Sequence, residues 1–390
     1  MTERVKENIF RVSAAIFTGF FAVFIVAIAS FFALLIGGER FMYTAIGVGA
    51  ALYILFILRL FHLVKGKKLA YTAAGLMTAV ALTIGSMAAY DAYLVSITNS
   101  AEVDLTVYEP FESGTKAVSM TQEASLHLEE PLPELDGATA LYPLYSAFVQ
   151  AVYPEDDYPH VGNSNQTVMA TKTDEAYSRL IAEETDMIFV AGPSERQELA
   201  AKHAGFEFEL TPIGREAFVF FVNTKNPVDS LTVEEIQGIY SGEITNWKEV
   251  GGEDEEIQAF QRPDDSGSQT ALEKLMVGIP IMEAPAEEIV TGMGGIIKET
   301  SDYRNHGNAI GFSYRFFSTE MVRDGDIKLI AIDGVHPSAE SIRDDSYPLS
   351  AEFYAITVGE RTENEQKLID WILSEEGQWI VEETGYVNVE

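Results

Sequence analysis

The chain has 390 residues, enough for two or more compact units with their own cores, and it contains no cysteine. Disulfides, thiolate metal sites and cysteine nucleophiles are therefore excluded. The formal net charge of −34 is unevenly placed: residues 1–99 carry eight Lys/Arg and four Asp/Glu, leaving 18 and 56 for the remainder. So acidic a body repels a phosphodiester backbone, which excludes nucleic acid as a partner.

Residues 1–98 read as a membrane module. Val12–Gly38, Phe41–Leu58 and Leu69–Tyr90 contain no charged side chain. Each is about long enough to cross ~30 Å of hydrocarbon as a helix, the second with a few residues beyond Arg59, so three transmembrane α-helices are predicted. A cleaved signal peptide fits poorly, because the first apolar run is too long and two more follow. Arg4, Lys6 and Arg11 precede the first span, and Lys65, Lys67 and Lys68 lie between the second and third. The loop between the first two holds only Glu39 and Arg40. The positive-inside rule then predicts a multi-pass cell-membrane protein, its N terminus cytoplasmic and its C-terminal domain extracytoplasmic.

Residues 99–132 turn polar and acidic. Alternation in Val103–Tyr108 and Ala124–Leu128 predicts short strands in a juxtamembrane β element or linker. The globular body spans 133–390. Asp136-Gly137-Ala138-Thr139-Ala140 opens a helix over Leu141–Val149 with Pro143 in its first turn, where proline is tolerated. Asn163–Thr167 and then Thr171-Lys172-Thr173 precede a helix over 174–183, with Thr173 as its expected N-cap. Met187–Ala191 and Ala217–Val222 read as buried strands, and Thr232 as the cap of another helix. Strands and helices alternate to a C-terminal helix over 365–374, which argues α/β layers.

The stretch with the most chemistry is Gln261-Arg262-Pro263-Asp264-Asp265-Ser266-Gly267-Ser268-Gln269-Thr270, between a strand at Ile257–Phe260 and a helix at Ala271–Met276. A strand, a Gly/Ser turn and a helix leave free N–H groups at the positive end of a helix dipole, which favours an anion. Ser266 and Ser268 add hydroxyls, Gly267 allows close approach, and Arg262 offers a fork of donors. The same residues also fit an ordinary capped helix, with Ser266 or Ser268 as N-cap and Arg262 paired to Asp264 or Asp265. Catalytic patterns are lacking. His62, His127, His160, His203, His306 and His336 are scattered, and no nucleophile elbow, phosphate loop or dinucleotide fingerprint occurs. Glu253–Glu256 reads as a solvated loop, and Asp324-Gly325-Asp326 lacks the other ligands of a calcium loop. No enzyme, catalytic residue, metal or cofactor is expected.

Five stretches together resemble the periplasmic-binding-protein superfamily, specifically the phosphate-binding component of phosphate ABC transporters. They are Gly137-Ala138-Thr139 with its Tyr-Pro helix, Ile244–Gly252 around Thr245-Asn246-Trp247, Arg262-x-x-x-Ser266-Gly267-Ser268, Ala309–Phe312 and Tyr347-Pro348-Leu349. The resemblance implies an α/β two-lobe (type II) domain that closes on an oxyanion, with lobe one at about 133–220 and 316–390 and lobe two at about 221–315. It implies a site of Thr139, Ala140 and Thr173 from lobe one and Arg262, Ser266, Gly267 and Ser268 from lobe two. The expected function is extracytoplasmic capture of phosphate, or a similar oxyanion, for an ABC permease. The alternative is a membrane-anchored sensor or scaffold with another oxyanion or no tight ligand. Two features depart from the family: Ala191-Gly192-Pro193-Ser194 stands where its phosphate binders carry an aspartate, and the anchor has three spans where one is usual.

Overall fold

The computed structural model describes residues 3–100, 103–161, 166–283, 308–322 and 326–389. Asn163–Asn165, His306 and Asp324-Gly325 lie outside the described residues. The chain forms two compact units, Met1–Ile97 and Thr98–Glu390.

The first unit is helical: α1 covers Glu3–Leu60, and α2, Lys67–Ser100, begins within it. Although α1 is helical throughout, the Tyr53 hydroxyl donates to the Ala15 carbonyl at 3.0 Å. A straight helix would hold residues 38 apart at about 57 Å, so the chain doubles back between them. Side chains such as Phe20, Val23 and Met77 are more than two thirds exposed, a surface suited to lipid. Among the described residues, Val5–Ser30 alone is long and apolar enough to cross a membrane; Ala45–Leu60 and Ala70–Thr83 are shorter apolar helices. One candidate membrane helix therefore stands where three spans were expected. The other two predicted runs extend over side chains outside the described set.

Among the described residues the second unit has nine strands: β1 (Leu135–Gly137), β2 (Met187–Ala191), β3 (Phe208–Asn223), β4 (Ser230–Leu231), β5 (Gln258–Ala259), β6 (Ala309–Tyr314), β7 (Ile327–Leu329), β8 (Ala331–Ile332) and β9 (Ser350–Val358). Seven form one sheet in the order β1-β2-β9-β3-β6-β5, with β7 also against β3. The 16-residue β3 belongs to both lobes. Its Phe208–Ala217 half pairs with β9, and its Phe218–Val222 half pairs with β6. Tyr145, Phe148, Phe189 and Trp371 centre the first core, and Phe220, Tyr240, Trp247 and Phe312 the second. Five helices complete the frame of the site: α3 (Tyr142–Val152), α4 (Thr173–Ile181), α5 (Glu195–Ala204), α6 (Val233–Ser241) and α7 (Gly267–Leu275).

Two expectations need correction. Phe316 touches the first core, but the chain does not settle in lobe one after Arg315. β7 pairs with Phe221–Asn223, and Ile330, Ile332, Ile342 and Tyr347 are buried in the second core. The return comes at β9, because the alternation around Ile327–Ile332 fills the β3 edge before the chain crosses back. Nor is there a strand among the described residues of the juxtamembrane segment. Asp104 accepts from the backbone N–H and hydroxyl of Thr106 and caps a 3₁₀ turn over Leu105–Tyr108, a local bond that competes with extended backbone. The segment nevertheless joins the first core through Leu105, Ala117, Ala124 and Leu128.

At the crossover between lobes, buried Glu216 accepts from the Phe316 N–H at 3.0 Å and pairs with Arg315 at 3.4 Å. Burial raises its carboxyl above 4.5, with Arg315 opposing the shift. A carboxyl raised on folding takes up a proton, so its contribution to stability is present below about pH 4.5 and is lost as pH rises through the folded value. The thermal midpoint of the wild-type protein should therefore fall relative to that of Glu216→Gln as pH is raised from 4 to 7. A constant difference between the two would contradict this account.

Candidate functional site

A cavity of about 360 Å³ lies between the lobes, and all seven residues singled out in the sequence line it: Thr139, Ala140, Thr173, Arg262, Ser266, Gly267 and Ser268. Three separate chain segments meet there. The first is the turn after β1, where a 3₁₀ turn over Thr139–Leu141 runs directly into α3. The Leu141 N–H bonds back to the Ala138 carbonyl at 2.9 Å, and the Thr139 and Ala140 N–H groups ahead of it are the first-turn donors without an intrahelical partner. Behind the turn, the Tyr386 hydroxyl donates to the Ala140 carbonyl.

The second segment is the start of α4. Thr173 was expected to cap this helix but is its first helical residue; Lys172, at φ +81°, holds the cap position without a side-chain cap bond. Thr173 therefore stands at the cavity. A Cβ added to Gly267 would lie 3.1 Å from its Oγ1 and 3.9 Å from the Ala191 Cβ. Those two distances bring all three residues to one point of the lobe boundary.

The third segment is the loop before α7. Ser266 caps this helix, its hydroxyl accepting from the Gln269 N–H. Gln269 in turn accepts from the Arg262 N–H at 2.9 Å, which fixes the arginine backbone beside the helix N-terminus. Asp265 is not left to Arg262: it accepts from the Ser194 hydroxyl at 2.7 Å and pairs with Arg196, both from lobe one. The Tyr314 hydroxyl donates to the Gly267 carbonyl at 3.2 Å. With the Gly267 and Ala140 carbonyls engaged by tyrosines, the N–H groups and hydroxyls beside them form a donor-rich patch suited to an oxyanion.

Sequence reading missed the residue that ties the lobe-one segments together. Asp136, fully buried, accepts from the N–H groups of Gly137 and Thr171 at 2.7 and 2.8 Å and from the Thr171 hydroxyl at 2.8 Å. It also pairs with Arg179 of α4 at 2.9 Å. Burial raises its carboxyl, while the Thr171 and Gly137 bonds and Arg179 hold it down. An aspartate directly before a Gly-Ala-Thr turn was the available signal. The sequence also gave no sign that Val103, Leu105 and His160 line the same cavity. No group of His, Asp or Glu that could hold a metal occurs among the described residues.

Comparison with known proteins matches residues 134–376 to the model of the PBP superfamily domain. Of curated relatives, the phosphate-binding protein PstS of Bacillus subtilis is 30% identical over 197 residues, half of this chain and 61% of that protein. The phosphate-binding protein PstS of Borreliella burgdorferi is 26% identical over 203 residues, half of this chain and 68% of that protein. The chain thus spans less than two thirds of the length of the first relative. A crystal structure of a putative phosphate ABC transporter substrate-binding protein with bound phosphate, from Clostridium perfringens, superposes with a TM-score of 0.51 at 26% identity. It covers 66% of this chain and 99% of its own.

Breaking a buried ion pair by neutralising one partner costs about 3–5 kcal/mol. Asp136→Asn should lower the thermal midpoint by several degrees and, by loosening both lobe-one turns, weaken anion binding. A variant with wild-type melting and affinity would remove Asp136 from the account.

Proposed function

The chain belongs to the PBP superfamily, and we propose that its body captures a tetrahedral oxyanion, inorganic phosphate first, outside the membrane and delivers it to an ABC permease. The observation that carries this reading is the convergence of Thr139, Ala140, Thr173, Arg262, Ser266, Gly267 and Ser268 on one cavity from three distant segments. The phosphate-binding relatives and the phosphate-bound neighbour support the same ligand. Thr139, Ala140, Thr173, Gly267 and Ser268 supply N–H groups and hydroxyls, and Arg262 supplies charge. The domain binds its solute and performs no chemistry on it. The acidic body does not oppose this, because distant carboxylates are screened within ~8 Å at physiological salt while donors at hydrogen-bond distance act fully.

Isothermal titration of the full chain in detergent with phosphate and sulfate tests the site. Arg262→Ala removes charge-assisted hydrogen bonds worth roughly 1.5–3 kcal/mol and should weaken phosphate binding at least tenfold. Unchanged affinity would sink the assignment. The membrane-tethered sensor or scaffold is the reading favoured if neither anion binds, since the juxtamembrane segment packs into lobe one.

For the anchor we propose three spans, with the chain reversal between Ala15 and Tyr53 supporting the first two as a hairpin. The absence of cysteine makes single introduced thiols unique labels. In sealed vesicles, Glu39→Cys and Ser113→Cys should react with an impermeant maleimide from the extracytoplasmic side and Lys65→Cys from the cytoplasmic side only. Labelling of Lys65→Cys and Ser113→Cys from the same side would contradict three spans.

A further inference from the structure

We propose that the cavity accommodates a phosphate monoester of a small, uncharged alcohol, with the phosphoryl group on the donor cradle and the organic substituent against the juxtamembrane segment. This rests on the oxyanion reading above and extends its ligand class. The first observation is room. A tetrahedral anion fills about the space of a few waters, at ~30 Å³ each, whereas the cavity measures about 360 Å³, within the ~300–1,000 Å³ range of sites for organic ligands.

The second observation is what lines the surplus space. Beyond the cradle the wall is largely apolar, with Val103, Leu105, Val161 and Ala170 in it, and it carries His160. Val103 and Leu105 come from the segment that precedes the matched family domain. That segment is fastened to lobe one: the Ser146 hydroxyl donates to the Tyr108 carbonyl, and Glu109 holds both the His160 N–H at 3.1 Å and its Nδ1 at 2.7 Å. Fixed through Nδ1, the imidazole has Nε2 left for a hydroxyl on the substituent.

The third observation concerns the proton. Hydrogen phosphate carries an O–H that must find an acceptor, whereas an ester dianion has none and needs donors alone. At the cradle edge β2 ends in the methyl of Ala191, 3.9 Å from the Gly267 Cβ position, not in an acceptor. Of the lining carboxylates, Glu216 is committed to Ala217, Phe316 and Arg315, and Glu352 accepts from the Tyr354 hydroxyl. Asp174, Asp264 and Glu352 also disfavour any negative charge beyond that of the phosphoryl group, which selects an uncharged substituent.

The test is titration calorimetry of the full chain in detergent with inorganic phosphate, methyl phosphate, glycerol 1-phosphate and sulfate. Glycerol 1-phosphate should bind at least as tightly as inorganic phosphate. Val103→Phe, which fills the apolar half, should weaken the ester at least tenfold relative to inorganic phosphate. Ala191→Asp, which adds an acceptor at the cradle, should move the ester-to-phosphate affinity ratio at least tenfold toward phosphate. Tight inorganic phosphate with both esters a hundredfold weaker would overturn this proposal and leave the oxyanion site standing. Loss of all four ligands would overturn both.

Discussion

A single buried carboxylate organises the lobe-one half of the site. Asp136 is out of water entirely, so it needs its full complement of donors, and it finds them on Gly137, on Thr171 and on Arg179. Gly137 and Thr171 belong to the two turns that carry Thr139 and Thr173, and Arg179 to the helix that Thr173 begins. Satisfying one buried charge therefore fixes the spacing between two parts of the donor wall that are more than thirty residues apart. In lobe two, Gln269 serves the same purpose with a neutral amide, holding Arg262 beside the N-terminus of α7.

The lobes are joined by backbone as well as by side chains. β3 hydrogen-bonds to β9 with its first half and to β6 with its second, so one continuous strand crosses the boundary. Bonds from Ser194 and Arg196 to Asp265 span the same boundary next to the donor loop. Because Asp265 directly precedes Ser266, this contact sets the position of the loop relative to lobe one. An anion held at Ser266 would thus be coupled to lobe position through an adjacent residue.

Much of this was legible in the sequence. The apolar runs Met187–Ala191 and Ala217–Val222 fold as the buried strands they suggest, and the caps at Thr232 and Ser266 form as their spacing implies. Local chemistry dictates those features, so a sequence window contains them. What was not legible depends on distant partners. The return crossing was misplaced because Ile327–Ile332 pairs with a strand a hundred residues earlier. Val103–Tyr108 alternates like a strand, yet Asp104 and Thr106 close a local turn and Leu105 finds its core elsewhere. Thr173 resembles a cap in sequence, but the left-handed Lys172 takes that position and leaves Thr173 at the cavity.

The most direct test is a crystal structure of the protein grown with arsenate, whose anomalous scattering marks the centre of a tetrahedral oxyanion. The account predicts one strong peak in the interlobe cavity, with its oxygens within hydrogen-bond distance of Arg262, Thr173 and the Thr139 and Gly267 N–H groups. A peak elsewhere, or an empty cavity at saturating arsenate, would contradict it.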